Sequence, residues 1–150
     1  MQTDHWTIWH PQIPIHRKYD VIGLIENPDR LQILLSSIED VSQITVQFPG
    51  FVYAYRSTVE LAALETINQI KATEGKQTYT ASDWTFFIVE NSSYAKQIER
   101  ASQGIYPASA LIHFVIVAGT CLIEVLTSLM PEIVSGWNEQ AQKIETMYSL

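Results

Sequence analysis

The sequence has little charge and a single cysteine. Charged residues make up 17% of its 150 residues, whereas apolar residues make up 47%. This balance excludes extended disorder and is typical of a chain that buries one core. Because Cys121 has no second cysteine with which to form an internal disulfide, a reducing compartment such as the cytoplasm is the expected location.

Basic residues are also scarce. Nine Lys and Arg stand against sixteen Asp and Glu, which gives a formal net charge of −7. The basic residues are scattered from Arg17 to Lys143 without clustering, so binding to a nucleic-acid backbone is disfavoured. An acidic surface is compatible with small molecules or with a basic protein partner.

The common signatures of catalysis are missing. The chain has no glycine-rich phosphate loop, no Walker pattern, no His-Glu-x-x-His, no paired cysteines and no Gly-x-Ser-x-Gly. No cofactor is therefore expected. His5, His10 and His16 are separated by five and six residues, which matches no metal-ligand spacing on a helix or strand, so no metal site is predicted.

No membrane segment is expected. The first twelve residues lack the basic and apolar regions of a secretory signal. The range 110–129 is long enough to span a bilayer, but His113, Glu124 and the Gly119-Thr120 pair interrupt it. It is interpreted as a strand followed by a helix.

The pattern predicts one domain over residues 1–150, of the α/β or α+β class, with helices packed on a mixed sheet. Apolar alternation on both sides of Pro49-Gly50 predicts a β-hairpin over about 43–56. Two strands at about 84–89 and 111–118, apolar on both faces and joined by a helix, predict a parallel β-α-β unit over about 84–118.

Other elements are predicted from caps and spacing. Helices are expected from Pro28 to Ile38, after Ser57, from Asn91 or Ser92 to Ser102, and from Cys121 to Leu129. Residues 19–25 are expected to form a strand, 73–80 a polar linker, and 1–18 an extended segment rich in Trp and His. In residues 135–150 the helical spacing of apolar side chains predicts an amphipathic helix that docks on the body or on a partner; these side chains are Trp137, Ala141, Ile144 and Tyr148.

The candidate catalytic residues are Cys121, His113 and Glu124. A helix that starts at Cys121 would favour its thiolate, with His113 as a base and Glu124 as the group that orients it. However, the strand residues between His113 and Cys121 place them more than about 15 Å apart. A buried, inert cysteine and a hydrogen-bonded core histidine are the favoured interpretation.

The candidate binding residues lie at two places. The carboxyl ends of the predicted parallel strands would form a pocket near Glu90, Asn91, Ser92, Thr120 and Cys121, where helix N-termini could hold an anion. Tyr53, Tyr55 and Arg56, at the end of the predicted hairpin, could form a recognition surface, because Tyr and Arg are enriched in protein interfaces. Alternation nevertheless favours tyrosines that fill the core.

A resemblance adds to this interpretation. The chain is similar to a family of uncharacterised bacterial proteins in Val89-Glu90-Asn91-Ser92-Ser93-Tyr94, in His113-Phe114, in Ile123-Glu124-Val125-Leu126 before Pro131, and upstream in Tyr55-Arg56. The resemblance covers about a third of the chain and implies that Arg56, Asn91, Tyr94 and His113 are the positions to test. It implies no reaction.

Three functions remain open. The first is a non-enzymatic protein-binding module, such as an immunity or accessory protein, with a basic partner. The second is a small enzyme or ligand-binding protein with a pocket around Asn91, His113 and Cys121. The third is a homodimer whose aromatic segments form the interface.

Overall fold

The computed structural model describes residues 4–28 and 30–136, which form one α+β domain that is predominantly β. There are two α-helices, α1 (Leu64–Gln69) and α2 (Ser93–Ala101), and two 3-10 turns, Glu60–Ala63 and Ala108–Ala110. The strands are β1 (His5–Ile8), β2 (Tyr19–Asn27), β3 (Arg30–Ser37), β4 (Gln43–Phe48), β5 (Val52–Val59), β6 (Lys71–Glu74), β7 (Gln77–Thr80), β8 (Phe86–Glu90), β9 (Ile112–Val117), β10 (Cys121–Thr127) and β11 (Glu132–Ser135).

Two antiparallel sheets face each other across the core. The five-stranded sheet has the order β1-β8-β9-β10-β5, and the four-stranded sheet has the order β11-β4-β3-β2. Phe114 of the first sheet and Phe48 of the second meet edge to face, with ring centroids 5.8 Å apart. Alternation along each strand supplies the core side chains from both sheets.

The outer face of the five-stranded sheet carries the site. Phe114 points into the core, so its neighbour His113 points outward, next to Leu126 of β10. Helix α2 packs over this face, where Tyr94 and Ala95 join Leu126 in a separate buried cluster. The helix predicted to begin at Asn91 or Ser92 is confirmed here, and Ser92 is its N-cap residue.

The predicted hairpin over 43–56 is wrong, because β4 and β5 belong to different sheets. Alternation predicted that the two strands share an apolar face, and facing strands of a sandwich satisfy that pattern as well as paired ones do. Pro49-Gly50 carries the chain from one sheet to the other. A Cβ on Gly50 would lie 2.5 Å from Ser128 Oγ, so no larger residue fits without a shift.

The predicted parallel β-α-β unit is also wrong, since β8 and β9 pair antiparallel, with Val89 opposite His113. After α2 the chain turns at Gly104 and returns to the end of the sheet that it left. Helix α2 therefore packs over the sheet, but β9 starts at the same end of the sheet at which β8 stops. The two strands consequently run in opposite directions. In an antiparallel sheet covered on both faces, the strands are apolar on both sides, as in buried parallel strands.

Two predicted helices are strands. The range Pro28 to Ile38 contains β3, and the range Cys121 to Leu129 contains β10. Both are inner strands of their sheets. Their side chains are buried on both faces, so consecutive apolar residues arise that mimic a helical stripe. Asn27 accepts a hydrogen bond from the Arg30 amide in a turn between strands, and it caps no helix.

The remaining predictions have mixed outcomes. The strand at 19–25 is confirmed as part of β2, but the expected linker at 73–80 is the β6–β7 hairpin. β5 extends to Val59, so the helix expected after Ser57 is reduced to a 3-10 turn and α1. Ser135 ends strand β11, and the rest of the predicted C-terminal helix lies outside the described residues. No helix in the described ranges is long and apolar enough to cross a membrane.

The segment between β1 and β2 is fastened to the sheet by polar contacts. The ammonium of Lys18 donates hydrogen bonds to three carbonyls, those of Ala81, Trp84 and Val117, at 2.7–3.0 Å. Burial lowers the pKa of Lys18 to about 8, although Asp83 and Glu60 oppose this shift. One side chain thus ties the N-terminal segment to two parts of the fold.

Candidate functional site

A chain of four polar side chains crosses the outer face of the five-stranded sheet beneath α2. Ser92 Oγ lies 2.7 Å from His113 Nδ1, and His113 Nε2 lies 3.0 Å from Glu124 Oε1. The Arg56 guanidinium donates to both oxygens of Glu124, at 2.6 Å from Nε and 3.2 Å from Nη2. Burying an ionisable group costs free energy unless the group is paired, and such groups cluster at functional sites. This network of four polar side chains is therefore the candidate site.

Strand register brings these residues together. Glu124 of β10 lies opposite Arg56 of β5, and Leu126, two residues further, lies opposite His113 of β9. All three polar side chains therefore project from the same face of the sheet. Ser92 reaches them from the start of α2, immediately after Asn91, whose φ of 56° turns the chain from β8 into the helix.

Every buried polar side-chain atom of this network has a hydrogen-bond partner. The Glu124 carboxylate accepts a hydrogen bond from His113 Nε2, and His113 Nδ1 pairs with the Ser92 hydroxyl. Ser92 Oγ also accepts a hydrogen bond from the Ala95 amide at 2.9 Å and so caps α2.

The charges reinforce one another. Burial alone would raise the pKa of Glu124, but hydrogen bonds from His113 and Arg56 outweigh burial and lower it. Burial acts to lower the pKa of Arg56, and the contact with Glu124 overcomes this and raises it. The pair is therefore ionised, with Glu124 buried and the Arg56 side chain 45% exposed.

The Tyr94 ring packs against the Arg56 guanidinium. The guanidinium carbon lies 3.9 Å from the centroid of the Tyr94 ring, a cation–π contact. Burial raises the pKa of Tyr94, which keeps its hydroxyl protonated. Arg56 is thus held by a carboxylate on one side and an aromatic ring on another, and it reaches the surface in a fixed position.

The expected anion site at the start of α2 is filled by the chain itself. Asp4 Oδ1 accepts from the Ser93 amide at 2.7 Å, and Oδ2 accepts from the Ser93 hydroxyl at 3.2 Å. A carboxylate at this position complements the helix dipole. Asp4 therefore occupies the place that was predicted for a ligand anion.

A groove of about 430 Å³ opens beside the polar chain. It is lined by Glu90, Asn91, Ser92, Lys96, Ser109 and His113, among other residues. Lys96 spans its rim and donates to Asn91 Oδ1 at 2.7 Å. The sequence predicted a pocket near Glu90, Asn91, Ser92, Thr120 and Cys121, and the first three line this groove, although its cause is the turn into α2 and not a parallel sheet. Thr120 and Cys121 lie at the other end of β9.

Cys121 lies away from this groove. It begins β10 opposite Val59, five residues before Leu126, the partner of His113. At about 3.3 Å per residue the two side chains are on the order of 16 Å apart. Cys121 starts a strand, so no helix dipole acts on its thiol, and burial raises the pKa of that thiol. The structure does not join Cys121 to His113 and Glu124.

Of a second surface feature, the sequence predicted only Tyr53 as a candidate recognition residue. Phe51, Tyr53 and Tyr106 form an aromatic cluster, in which the Phe51–Tyr53 and Tyr53–Tyr106 centroids are both 4.8 Å apart. Tyr106 lies in the loop after α2, far in sequence from the other two. The only sequence signal was the pair of aromatics after Pro49-Gly50, which alternation assigned to the core.

Tyr55 does not belong to this cluster. It packs against the core and its hydroxyl donates to Glu26 at 2.7 Å, which links the edge strands of the two sheets. The hydrogen bond to Glu26 raises the pKa of Tyr55. Tyr55 and Arg56 therefore point to opposite faces of β5, although Tyr55 also lines a groove of about 590 Å³ beside Phe51 and Tyr53.

The N-terminal histidines lie apart from the site. His10 contacts Glu74 at 2.8 Å, whereas His16 contacts Glu39 and Asp40. Within residues 4–28 and 30–136, no group of three His, Cys, Asp or Glu side chains is arranged to hold a metal.

Comparison with protein families, curated proteins and solved structures found no match for this chain. The function is therefore inferred from the geometry of the chain itself.

Proposed function

We propose that this chain is a non-enzymatic protein-binding module, with a recognition surface formed by the aromatic cluster and Arg56. The observation that carries the proposal is the exposure of aromatic rings that pack against one another at the surface. Phe51 is 59% exposed and Tyr106 is 38% exposed, although both pack against Tyr53. Large aromatic side chains held in place at the surface are typical of interface hot spots.

The cluster and Arg56 share one support. Tyr53 packs on the buried group that contains Tyr94 and Leu126, and Tyr94 is the ring beneath Arg56. Aromatic and arginine side chains are enriched in interface cores. Because Glu124 and Tyr94 already fix Arg56, binding would cost little further side-chain entropy.

The buried polar chain fits a supporting role in this proposal. Glu124 holds Arg56, His113 holds Glu124, and Ser92 connects His113 to the first turn of α2. The network thereby couples the position of Arg56 to the helix that carries Tyr94. A hydrogen-bonded shell of this kind keeps a binding residue rigid.

The partner that we propose is a protein with a basic surface. The net charge of −7 would accelerate association with such a partner through long-range attraction. The uncharged aromatic cluster would supply the dry centre of the interface.

Affinity capture from the native host with matched variants tests this proposal. Phe51→Ser and Tyr106→Ser should each abolish recovery of the partner, because they remove exposed aromatic area without touching the core. Leu61→Ser is the control, since Leu61 is 79% exposed, more than either aromatic side chain, and lies on the 3-10 turn away from the cluster. Equal recovery by all four proteins, or no partner from a folded wild type, would contradict it.

A ligand-binding or enzymatic function is the second candidate. It is favoured by one observation: Ser92 and His113 line the 430 Å³ groove, and His113 contacts both Ser92 and Glu124. A serine, a histidine and a carboxylate in series is the arrangement of a serine nucleophile. Here the serine bonds Nδ1 and the carboxylate bonds Nε2, which reverses the usual use of the ring.

A fluorophosphonate probe distinguishes the second candidate from the first. An activated Ser92 would be labelled covalently, labelling would disappear in Ser92→Ala, and it would persist in Ser109→Ala, a change in the same groove. The binding-module proposal expects no labelling of any of these proteins, because the Ser92 hydroxyl serves as a helix cap.

A further inference from the structure

The four-stranded sheet has an outer face that points away from the core. Leu31, Ile33 and Leu35 of β3 belong to the core, so the alternate residues Gln32 and Leu34 point outward. In the neighbouring strands, Ile25 lies opposite Gln32 and Thr45 lies opposite Leu34. These four residues form the centre of what is called here the outer face.

The outer face is buried. Leu34 is 4% exposed, Gln32 is 1% exposed and Thr45 is fully buried. Yet the apolar cluster on this face contains Ile25 and Leu34 alone, and both described α-helices pack elsewhere, α2 beside β9 and α1 beside the 3-10 turn after β5. Among residues 4–28 and 30–136, no other apolar side chain joins this cluster, whereas a sheet face open to water leaves its central side chains partly exposed.

The outer face also contains an unsatisfied acceptor. Gln32 donates through Nε2 to Gln47 at 3.3 Å, but its Oε1 is buried without a hydrogen-bond partner among the described residues. Buried amide oxygens nearly always accept a hydrogen bond. The group that covers this face should therefore bring a donor to Gln32.

We propose that the outer face is the docking surface for residues 137–150 of the same chain. The described chain leaves the fold at the edge of this face: the Gly136 amide donates to Gln43 at 2.7 Å, and Thr45 Oγ1 donates to the Gly136 carbonyl at 2.9 Å. The described residues therefore end at Gly136, beside Thr45.

The sequence of this segment matches the surface. Trp137, Ala141, Ile144 and Tyr148 recur at helical spacing and would present one apolar stripe to Leu34 and Ile25. At about 1.5 Å per residue, fourteen helical residues span roughly 21 Å, enough to cross strands spaced about 4.8 Å apart. The segment also carries side-chain donors that could satisfy Gln32, among them those of Trp137, Asn138 and Tyr148.

Cysteine pairs in the full-length Cys121→Ser protein test this proposal. Leu34→Cys is combined in turn with Ala141→Cys and Ile144→Cys, and Leu61→Cys with the same two partners is the control. We expect an intramolecular disulfide in at least one Leu34→Cys pair and none in the control pairs. Mass spectrometry under non-reducing conditions identifies the bond, and gel filtration assigns it to one chain or two.

A second readout uses the alkylation rate of Leu34→Cys alone in the Cys121→Ser background. Ile144→Asp should raise this rate by about tenfold or more, because it opposes burial of the stripe, whereas Glu145→Gln should leave it unchanged. Circular dichroism confirms that each variant is folded.

The other outcomes overturn the proposal. A disulfide between two chains would make a second copy the occupant. Absence of any disulfide, with alkylation of Leu34→Cys that does not respond to Ile144→Asp, would mean that residues 137–150 do not cover the face.

Discussion

At the scale of single residues, Glu124 is the centre of the polar network, because its carboxylate accepts hydrogen bonds from both His113 and Arg56. Glu124→Gln removes the charge that pairs with Arg56 and presents an amide group to at least one donor. We expect a loss of about 2–3 kcal/mol in the free energy of unfolding, measured by urea denaturation. Exposed Glu65→Gln is the control and should change the midpoint little. Equal midpoints for the two variants would contradict this role.

The acid limb of the stability profile should also depend on Glu124. Its pKa in the folded state lies below the ordinary value of 4.5, so the unfolded chain binds the proton more tightly. The stabilisation is present above pH 4.5 and is lost as the pH falls through the lower, folded pKa. The stability difference between wild type and Glu124→Gln should therefore shrink over this range. A difference independent of pH would exclude an ionised Glu124.

The sequence predicted several residues of the site but not which of them contact one another. Arg56, Tyr94, His113 and Glu124 were all candidates, and the structure places them in one network. Their meeting depends on the antiparallel register of β5, β10 and β9, which alternation alone does not specify. Phe51 and Tyr106 were missed because their contact joins two loops far apart in sequence.

At the scale of elements, the N-terminal segment depends on Lys18. The pKa of Lys18 is about 8 in the fold and 10.5 in the unfolded chain, so the unfolded chain binds more protons between these values. Stability should therefore rise with pH over this range by at most about 3 kcal/mol relative to Lys18→Met. Urea denaturation of both proteins from pH 7 to 10 measures this, and parallel profiles would contradict it.

The crossing between the two sheets depends on Gly50. Gly50→Ala would bring its Cβ within 3 Å of Ser128 and Leu129, so we expect a loss of about 1–3 kcal/mol in the free energy of unfolding. Gly23→Ala is the matched control, since its Cβ would meet only Leu34 Cδ1 at 3.9 Å and should cost less than about 1 kcal/mol. Equal losses in urea denaturation would show that the close approach at Gly50 is unimportant.

The errors at this scale have one cause. β3 and β10 were predicted as helices because inner strands buried on both faces carry consecutive apolar residues. α2 was predicted correctly, because Ser92 supplies a cap and Gly104 an end, and both signals are local. Pairing between strands that are distant in sequence has no comparable local sequence signal, and so the two-sheet sandwich was not predicted.

At the scale of the whole molecule, the proposed partner is selected by charge. With a net charge of −7, association with a basic protein should slow as salt rises, whereas dissociation from the aromatic cluster should change little. Surface plasmon resonance measures the association and dissociation rates separately. It is run at about 50 and 300 mM salt, where the Debye length is roughly 14 and 6 Å. An association rate independent of salt would contradict a basic partner.

The most direct test of the recognition surface is site-specific photocrosslinking in the native host. A benzophenone amino acid is placed at Tyr106, within the aromatic cluster, and in a second protein at Leu61, which is exposed but away from it. We predict that a basic protein crosslinks at position 106 and that no such crosslink forms at position 61. The crosslink at position 106 should be lost when Phe51→Ser is added. Identical crosslinks at both positions, or none from the folded protein, would contradict a binding module built on this surface.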